Sequence, residues 1–120
     1  MILSEIDLFL IQGIAESALK GEEITTWDLA KKYLKLQDNK LDNLSVLKRT
    51  EIVNGMTTSL NYRMRRMAKI GLVFINKDNC KNHYVLDSDR IRYCKHKFPS
   101  GIKQSIMALG EDSKWAAFEI

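Results

Sequence analysis

The stretch from Ser45 to Leu86 constrains the fold most, because a helical pattern ends there at a glycine and β-type runs follow directly. Its apolar residues at positions 53, 56, 60, 64 and 67 are spaced by three, four, four and three, which predicts one apolar helix stripe. Gly71 has the position and residue type of a helix C-cap. Gly55 interrupts the stripe, so the sequence is compatible with a split into helices over 45–54 and 56–70.

Two β-type runs come next, over 72–75 and 83–86. The spacer between them, 76–82, is rich in Asn, Asp and Lys. Aromatic and β-branched runs on both sides of a polar spacer predict a hairpin with a loose tip.

The N-terminal part of the chain predicts two further helices. Ser4 can cap a helix that extends to Lys20, and Gly21 follows its last turn. Apolar residues cover more than half of that helix, so it needs to be covered on two sides. Thr25 and Asp28 resemble a capping box for a short second helix, and the polar residues 36–44 predict a connection.

The C-terminal part predicts two short helices, about 88–97 and 101–109. Pro99 separates them and Gly110 ends the second. The segment 114–120 is ambiguous between helix and strand.

Charge is distributed unevenly along the 120 residues, whose net charge is +4. Residues 1–30 carry a net charge of −5, residues 31–73 carry +7, and residues 74–120 carry +2. A positive middle third is expected where one face meets a polyanion, although a solvated helix face with counter-charges nearby gives the same pattern.

Length and composition predict one globular domain and disfavour two classes of protein. No apolar run approaches the roughly 20 residues that span a bilayer, and Glu5 and Asp7 stand where a signal peptide would be apolar. The two cysteines are too few for a disulfide scaffold, which favours free thiols in a reducing compartment. We therefore expect a cytoplasmic protein without a membrane partner.

The order of helix, short extended segment, helix, helix and hairpin resembles the winged helix-turn-helix superfamily of DNA-binding proteins. Two segments carry the resemblance: 24–33 (ITTWDLAKKY) looks like the second helix, and 60–73 (LNYRMRRMAKIGLV) looks like a recognition helix that leads into the wing. The expected fold class is thus mainly α with a small β-hairpin (α+β). A winged-helix domain would occupy 1–86, and 87–120 would form a helical extension of the same compact unit.

The chain departs from the family pattern in one respect. Ala30 and Gly71 are 41 positions apart, whereas compact members need roughly half that distance. The insertion, around 36–54, fits either an extra short helix or an extended third helix. It leaves the start of the recognition helix open.

Helical spacing places one group of residues on the outer side of the third helix, opposite the apolar stripe. No acid occurs between Asn54 and Lys77, which favours a binding face over a solvated one. Hydroxyl and amide groups can read base edges, and guanidinium groups can take guanine or phosphate. The predicted DNA-binding residues of this helix are Thr58, Asn61, Tyr62, Arg65, Arg66 and Lys69.

The resemblance also implies that the wing contacts DNA backbone or the minor groove, with Lys77 and Lys81 as phosphate contacts. A loop that is polar only because it is in water explains these lysines equally well. The same two interpretations apply to five further cations: Lys31, Lys32, Lys35, Lys48 and Arg49.

Metal binding and catalysis find little support. Cys80-x-x-His83 and Cys94-x-His96 supply zinc-ligand types, but a Cys-x-His pair is not a usual knuckle spacing. The sequence lacks a phosphate-binding glycine loop, a nucleophile elbow and an HExxH motif. We expect no metal, no cofactor and no enzymatic activity.

The sequence therefore predicts a sequence-specific double-stranded DNA-binding protein, acting as a transcriptional regulator. A winged-helix module that binds protein, without a DNA function, is the alternative. A homodimer is also expected, because the apolar first helix needs a second cover and winged-helix regulators usually bind two half-sites. The tail could supply that cover within the chain or between two chains, through Ile102, Ile106, Met107, Leu109, Trp115, Phe118 and Ile120.

Overall fold

Capping boxes begin the first two helices of the structure, a computed structural model that describes residues 3–37, 44–78, 81–93, 98, 100–110 and 114–118. Helix α1 runs over Glu5–Leu19. The Asp7 backbone N–H donates to Ser4 Oγ (3.3 Å), and the Ser4 backbone N–H donates to Asp7 Oδ2 (3.0 Å). Gly21 follows the end of the helix, and its φ of +67° is the left-handed conformation that glycine adopts without strain. The prediction of a capped first helix is confirmed.

The predicted second capping box is also present. The Asp28 backbone N–H donates to Thr25 Oγ1 (3.1 Å), and the Thr25 backbone N–H donates to Asp28 Oδ2 (3.3 Å). The short strand β1, Ile24–Thr25, therefore leads directly into helix α2, Thr26–Gln37. Residues 38–43, most of the predicted connection, lie outside the described residues.

Helix α3 is continuous over Val46–Lys69, so Gly55 does not split it. An interior glycine costs a helix about 1 kcal/mol, and the buried stripe on both sides of Gly55 offsets that cost by packing against the body of the protein. Within the described residues, the additional chain length between Ala30 and Gly71 thus belongs to an extended third helix. Gly71, with φ +84°, follows its end as predicted.

The strands form one mixed sheet in the order β1-β4-β3-β2. Strands β2 (Val73–Asp78) and β3 (Lys81–Asp87) make the antiparallel hairpin, which is longer than predicted because much of the polar spacer is paired. Strand β4 (Lys114–Phe118) pairs antiparallel with β3 and parallel with β1. This settles the ambiguous C-terminal segment as a strand, and the extension predicted to be helical is therefore only partly so.

The C-terminal extension covers α1 from within the same chain. Helix α4, Ser88–Tyr93, follows β3 directly, and helix α5, Ser100–Leu109, packs against α1. Ile102 and Ile106 are buried in that contact region of the core, and Gln12 Nε2 donates to Ser105 Oγ (3.1 Å). The core as a whole joins α1, α2, α3, α5 and one face of the sheet. The mainly helical α+β fold class is confirmed.

Candidate nucleic-acid interface

The outer face of α3 is the candidate binding surface. The buried side of the helix holds Val53, Leu60, Met64 and Met67. Spacings of four, three and four place another set on the opposite side. That outer set, which we call the outer stripe, consists of Thr58, Tyr62, Arg65 and Lys69, and all four are exposed.

The chemistry of the outer stripe changes along the helix. Its first two members are uncharged: Thr58 and Tyr62, whose ring is 60% exposed. The Thr58 hydroxyl donates to the Asn54 carbonyl at 3.1 Å, so towards a ligand its oxygen acts as an acceptor. The last two members are the cations Arg65 and Lys69. A groove-reading helix needs this combination of uncharged hydrogen-bonding groups and phosphate-binding cations.

Arg66 lies beside the outer stripe and is half-buried. Together with Arg65 and Lys69 it makes the C-terminal half of α3 strongly positive, and the described segment from Gly55 to Lys77 contains no acid. Arg65 and Arg66 also take part in interactions within the chain.

The structure corrects the predicted position of Asn61. Its side chain is only 8% exposed, and its Oδ1 has no hydrogen-bond partner among the described residues. Asn61 follows the buried Leu60 by one position, which is about 100° around the helix. That places it at the border of the buried stripe and not on the outer side, so it is not part of the candidate surface.

Arg63 belongs to the fold and not to the outer stripe. Its Nη1 lies 3.6 Å from the Asp7 Oδ1 carboxylate oxygen and donates to Ser4 Oγ at 2.8 Å. Asp7 is 4% exposed, so this pair is largely shielded from water. The cation thus joins the middle of α3 to the capping box of α1.

The hairpin places one more predicted contact at the surface. Lys77 is exposed near the end of β2, an edge strand of the sheet, while His83 opposite Asn76 is half-buried. Lys81 begins β3 and pairs with Asp78, but its side chain lies outside the described part. Residues 79–80 at the tip are outside it as well.

The lysines of α2 stand beside acids. Lys31 lies 3.7 Å from Asp28 in an exposed ion pair. A groove of about 450 Å³ beside α2 is lined by both signs of charge, with Glu22 and Glu23 opposite Lys32 and Lys35. Such a mixed lining does not select an anion. Lys48 is exposed and Arg49 is half-buried near the start of α3.

The described residues hold no cluster of three or more His, Cys, Asp and Glu side chains that could bind a metal ion. The sequence offers four possible zinc ligands. Three of them, Cys80, Cys94 and His96, lie outside the described residues. No helix in the described part of the chain has the length and apolar character needed to cross a membrane.

Two structural residues of this region have little or no sequence signal. Arg63 stands in a run of cations that sequence alone cannot divide into inward and outward members. Arg90, on α4, donates from Nη1 to the Gly71 carbonyl (3.1 Å) and lies 4.4 Å from the centre of the Phe74 ring. Both contacts join residues that are distant in sequence, so no local pattern reveals them.

Comparison with protein-family models, with curated proteins and with solved structures finds no match to this chain.

Proposed function

We propose that this protein binds double-stranded DNA, with the outer stripe of α3 in the major groove and the β2–β3 hairpin against the neighbouring backbone or minor groove. The observation that carries the proposal is the outer stripe itself, an exposed helix face on which hydroxyl groups precede cations and acids are absent over 55–77. Solvated helix faces usually carry both signs of charge. The order α1, β1, α2, α3 and hairpin supports a winged-helix mode of binding.

Within this proposal the residues have distinct roles. Thr58 and Tyr62 approach base edges, with the Tyr62 ring able to contact a thymine methyl or a sugar. Arg65 reaches either a base or a phosphate. Arg66, Lys69 and Lys77 hold the flanking backbone, which positions the helix without reading sequence. The protein then acts as a transcriptional regulator without a cofactor.

Selection of bound fragments from random duplex DNA tests this proposal. The expected result is enrichment of a common motif that fits one major-groove face. Fragments recovered without any enriched motif would show backbone binding alone, and recovery no higher than with beads lacking protein would rule out DNA binding.

A protein-binding module is the second candidate, and one observation favours it. Val46 and Leu47, in the first turn of α3, are 71% and 70% exposed. Exposed apolar side chains that form a contiguous patch mark a protein contact, and these two are neighbours in the chain. An apolar contact of this kind would persist at high salt, whereas phosphate binding weakens steeply.

A homodimer remains part of the proposal, but only one of the two arguments that the sequence offered for it still applies. The apolar α1 was expected to need a second cover, and α5 of the same chain supplies one. What remains is the two-half-site geometry that winged-helix regulators use. Light scattering at micromolar concentration and moderate salt measures the mass directly, and a monomer with and without DNA would exclude the dimer.

A further inference from the structure

The junction between α3 and the hairpin is contacted by a side chain of α4, Arg90. Only residues 70–72 separate the two elements, and Gly71 among them has φ +84°. Leu72 and Val73 are buried, so the root of the hairpin is fixed in the core. The exposed part of β2 beyond that root is held by its pairing with β3 and by contacts from outside the sheet.

Arg90 contacts both this junction and β2. Its Nη1 donates to the Gly71 carbonyl at 3.1 Å, within the junction that follows α3, and its guanidinium carbon lies 4.4 Å from the centre of the Phe74 ring, on β2. Phe74 is 39% exposed, so the cation lies over a ring that core packing leaves partly open. A guanidinium over an aromatic ring is attracted by the ring's quadrupole.

The backbone of Arg90 is itself held at the end of β3. Asp87 Oδ1 accepts from the backbone N–H groups of Asp89 (2.9 Å) and Arg90 (3.4 Å), which fixes the first turn of α4. Arg90 thus extends from the first turn of α4, directly after β3, to β2 and to the junction that follows α3. One side chain joins α4, β2 and that junction.

We propose that Arg90 is a positioning residue for DNA binding, which sets the direction of the hairpin relative to α3 so that the outer stripe and Lys77 meet one duplex together. This inference rests on the proposed function. Two contact regions on one rigid body bind far better than two that must be aligned on binding. Without the Arg90 contacts, only a fraction of molecules holds the competent arrangement. The apparent affinity is then the intrinsic affinity multiplied by that fraction.

The test is a binding titration at several salt concentrations, with a duplex recovered by the selection described above. Arg90→Ala and Phe74→Leu are each expected to weaken binding about threefold to tenfold, and the double variant no further. Lys77→Ala should lower affinity and salt slope in the parent, and should lower both by less in the Arg90→Ala background. That loss of coupling is a readout that a general loss of stability would not produce.

Two control variants complete the experiment. Lys103→Ala removes one positive charge from the exposed side of α5 and should bind like the parent. Arg90→Lys keeps a cation near the ring without the planar fork, and should recover part of the affinity lost in Arg90→Ala. Thermal melting of every variant confirms that the protein is folded at the temperature of the titration.

Three results would overturn the inference. If Phe74→Leu binds like the parent while Arg90→Ala lowers the salt slope by about one, Arg90 contacts phosphate directly and does not position the hairpin. If Arg90→Ala binds like the parent, the contact has no role in binding, although the proposed function stands. If the parent itself shows no binding to duplex DNA, both proposals fail.

Discussion

The guanidinium of Arg63 lies 3.6 Å from the Asp7 carboxylate, of which only 5% of the side chain is exposed. The same guanidinium donates to Ser4 Oγ, the hydroxyl that caps α1. Since Arg63 is on α3, this contact fixes the candidate reading helix against the first helix of the core. It also explains why one cation of a basic run is not available to a ligand.

Replacing Arg63 with Ala is expected to lower the free energy of unfolding by about 1–3 kcal/mol, because Asp7 stays buried and loses its cationic partner. The loss in free energy of unfolding is smaller than for a buried charge without any partner, since Ser4 still donates to Asp7. Denaturant unfolding measures it. Lys103→Ala is the control, and its exposed position on α5 predicts a change within about 0.5 kcal/mol. Equal losses in the two variants would contradict this account.

The Gly13 position tests the close approach of α1 to α2. A Cβ added there would lie 2.6 Å from Leu29 Cδ2, and Leu29 is fully buried, so it has little room to move aside. Gly13→Ala should therefore destabilise the protein, because an overpacking cost of about 1–3 kcal/mol exceeds the helix-propensity gain.

Gly55→Ala is its control, since nothing lies within 4 Å of the added Cβ in the middle of α3. That variant should be more stable by about 0.5–1 kcal/mol. Chemical denaturation of both variants checks the pair. A Gly13→Ala protein that gains stability as Gly55→Ala does would show that the helices are farther apart than described.

Gly71 tests the turn between α3 and the hairpin. Its φ of +84° lies in the left-handed region, where an alanine is strained by about 1–2 kcal/mol. The added Cβ would also lie 3.4 Å from Arg90 Nη1, within ordinary contact distance. Gly71→Ala should thus lower the midpoint of thermal unfolding through backbone strain, and an unchanged midpoint would contradict the assigned conformation.

Local sequence patterns predicted the elements whose determinants are local. Ser4 with Asp7 and Thr25 with Asp28 stand at helix starts, while Gly71 stands at a helix end, and each has the geometry its residue type favours. Strand β4 was ambiguous because its partners, β1 and β3, are distant in sequence, and only pairing decides between helix and strand for so short a segment.

The candidate site shows the same division. The apolar stripe of α3 placed Thr58, Tyr62, Arg65 and Lys69 on the exposed side, as the structure has them. Asn61 was placed wrongly, because a residue at the border of a stripe is buried or exposed according to what packs beside it. The role of Arg63 depends on Asp7, 56 positions earlier in the chain, so no spacing rule within α3 could reveal it.

In the proposed function the outer stripe of α3 contacts DNA, and titration of a selected duplex at several salt concentrations measures that contact. The comparison is between the parent, the double variant Arg65→Ala/Lys69→Ala and the charge control Lys103→Ala. The double variant should bind at least about tenfold more weakly, with its salt slope reduced by about one to two, while the control matches the parent. A double variant that melts like the parent and binds DNA as tightly would contradict it, and the protein-binding function would then take precedence.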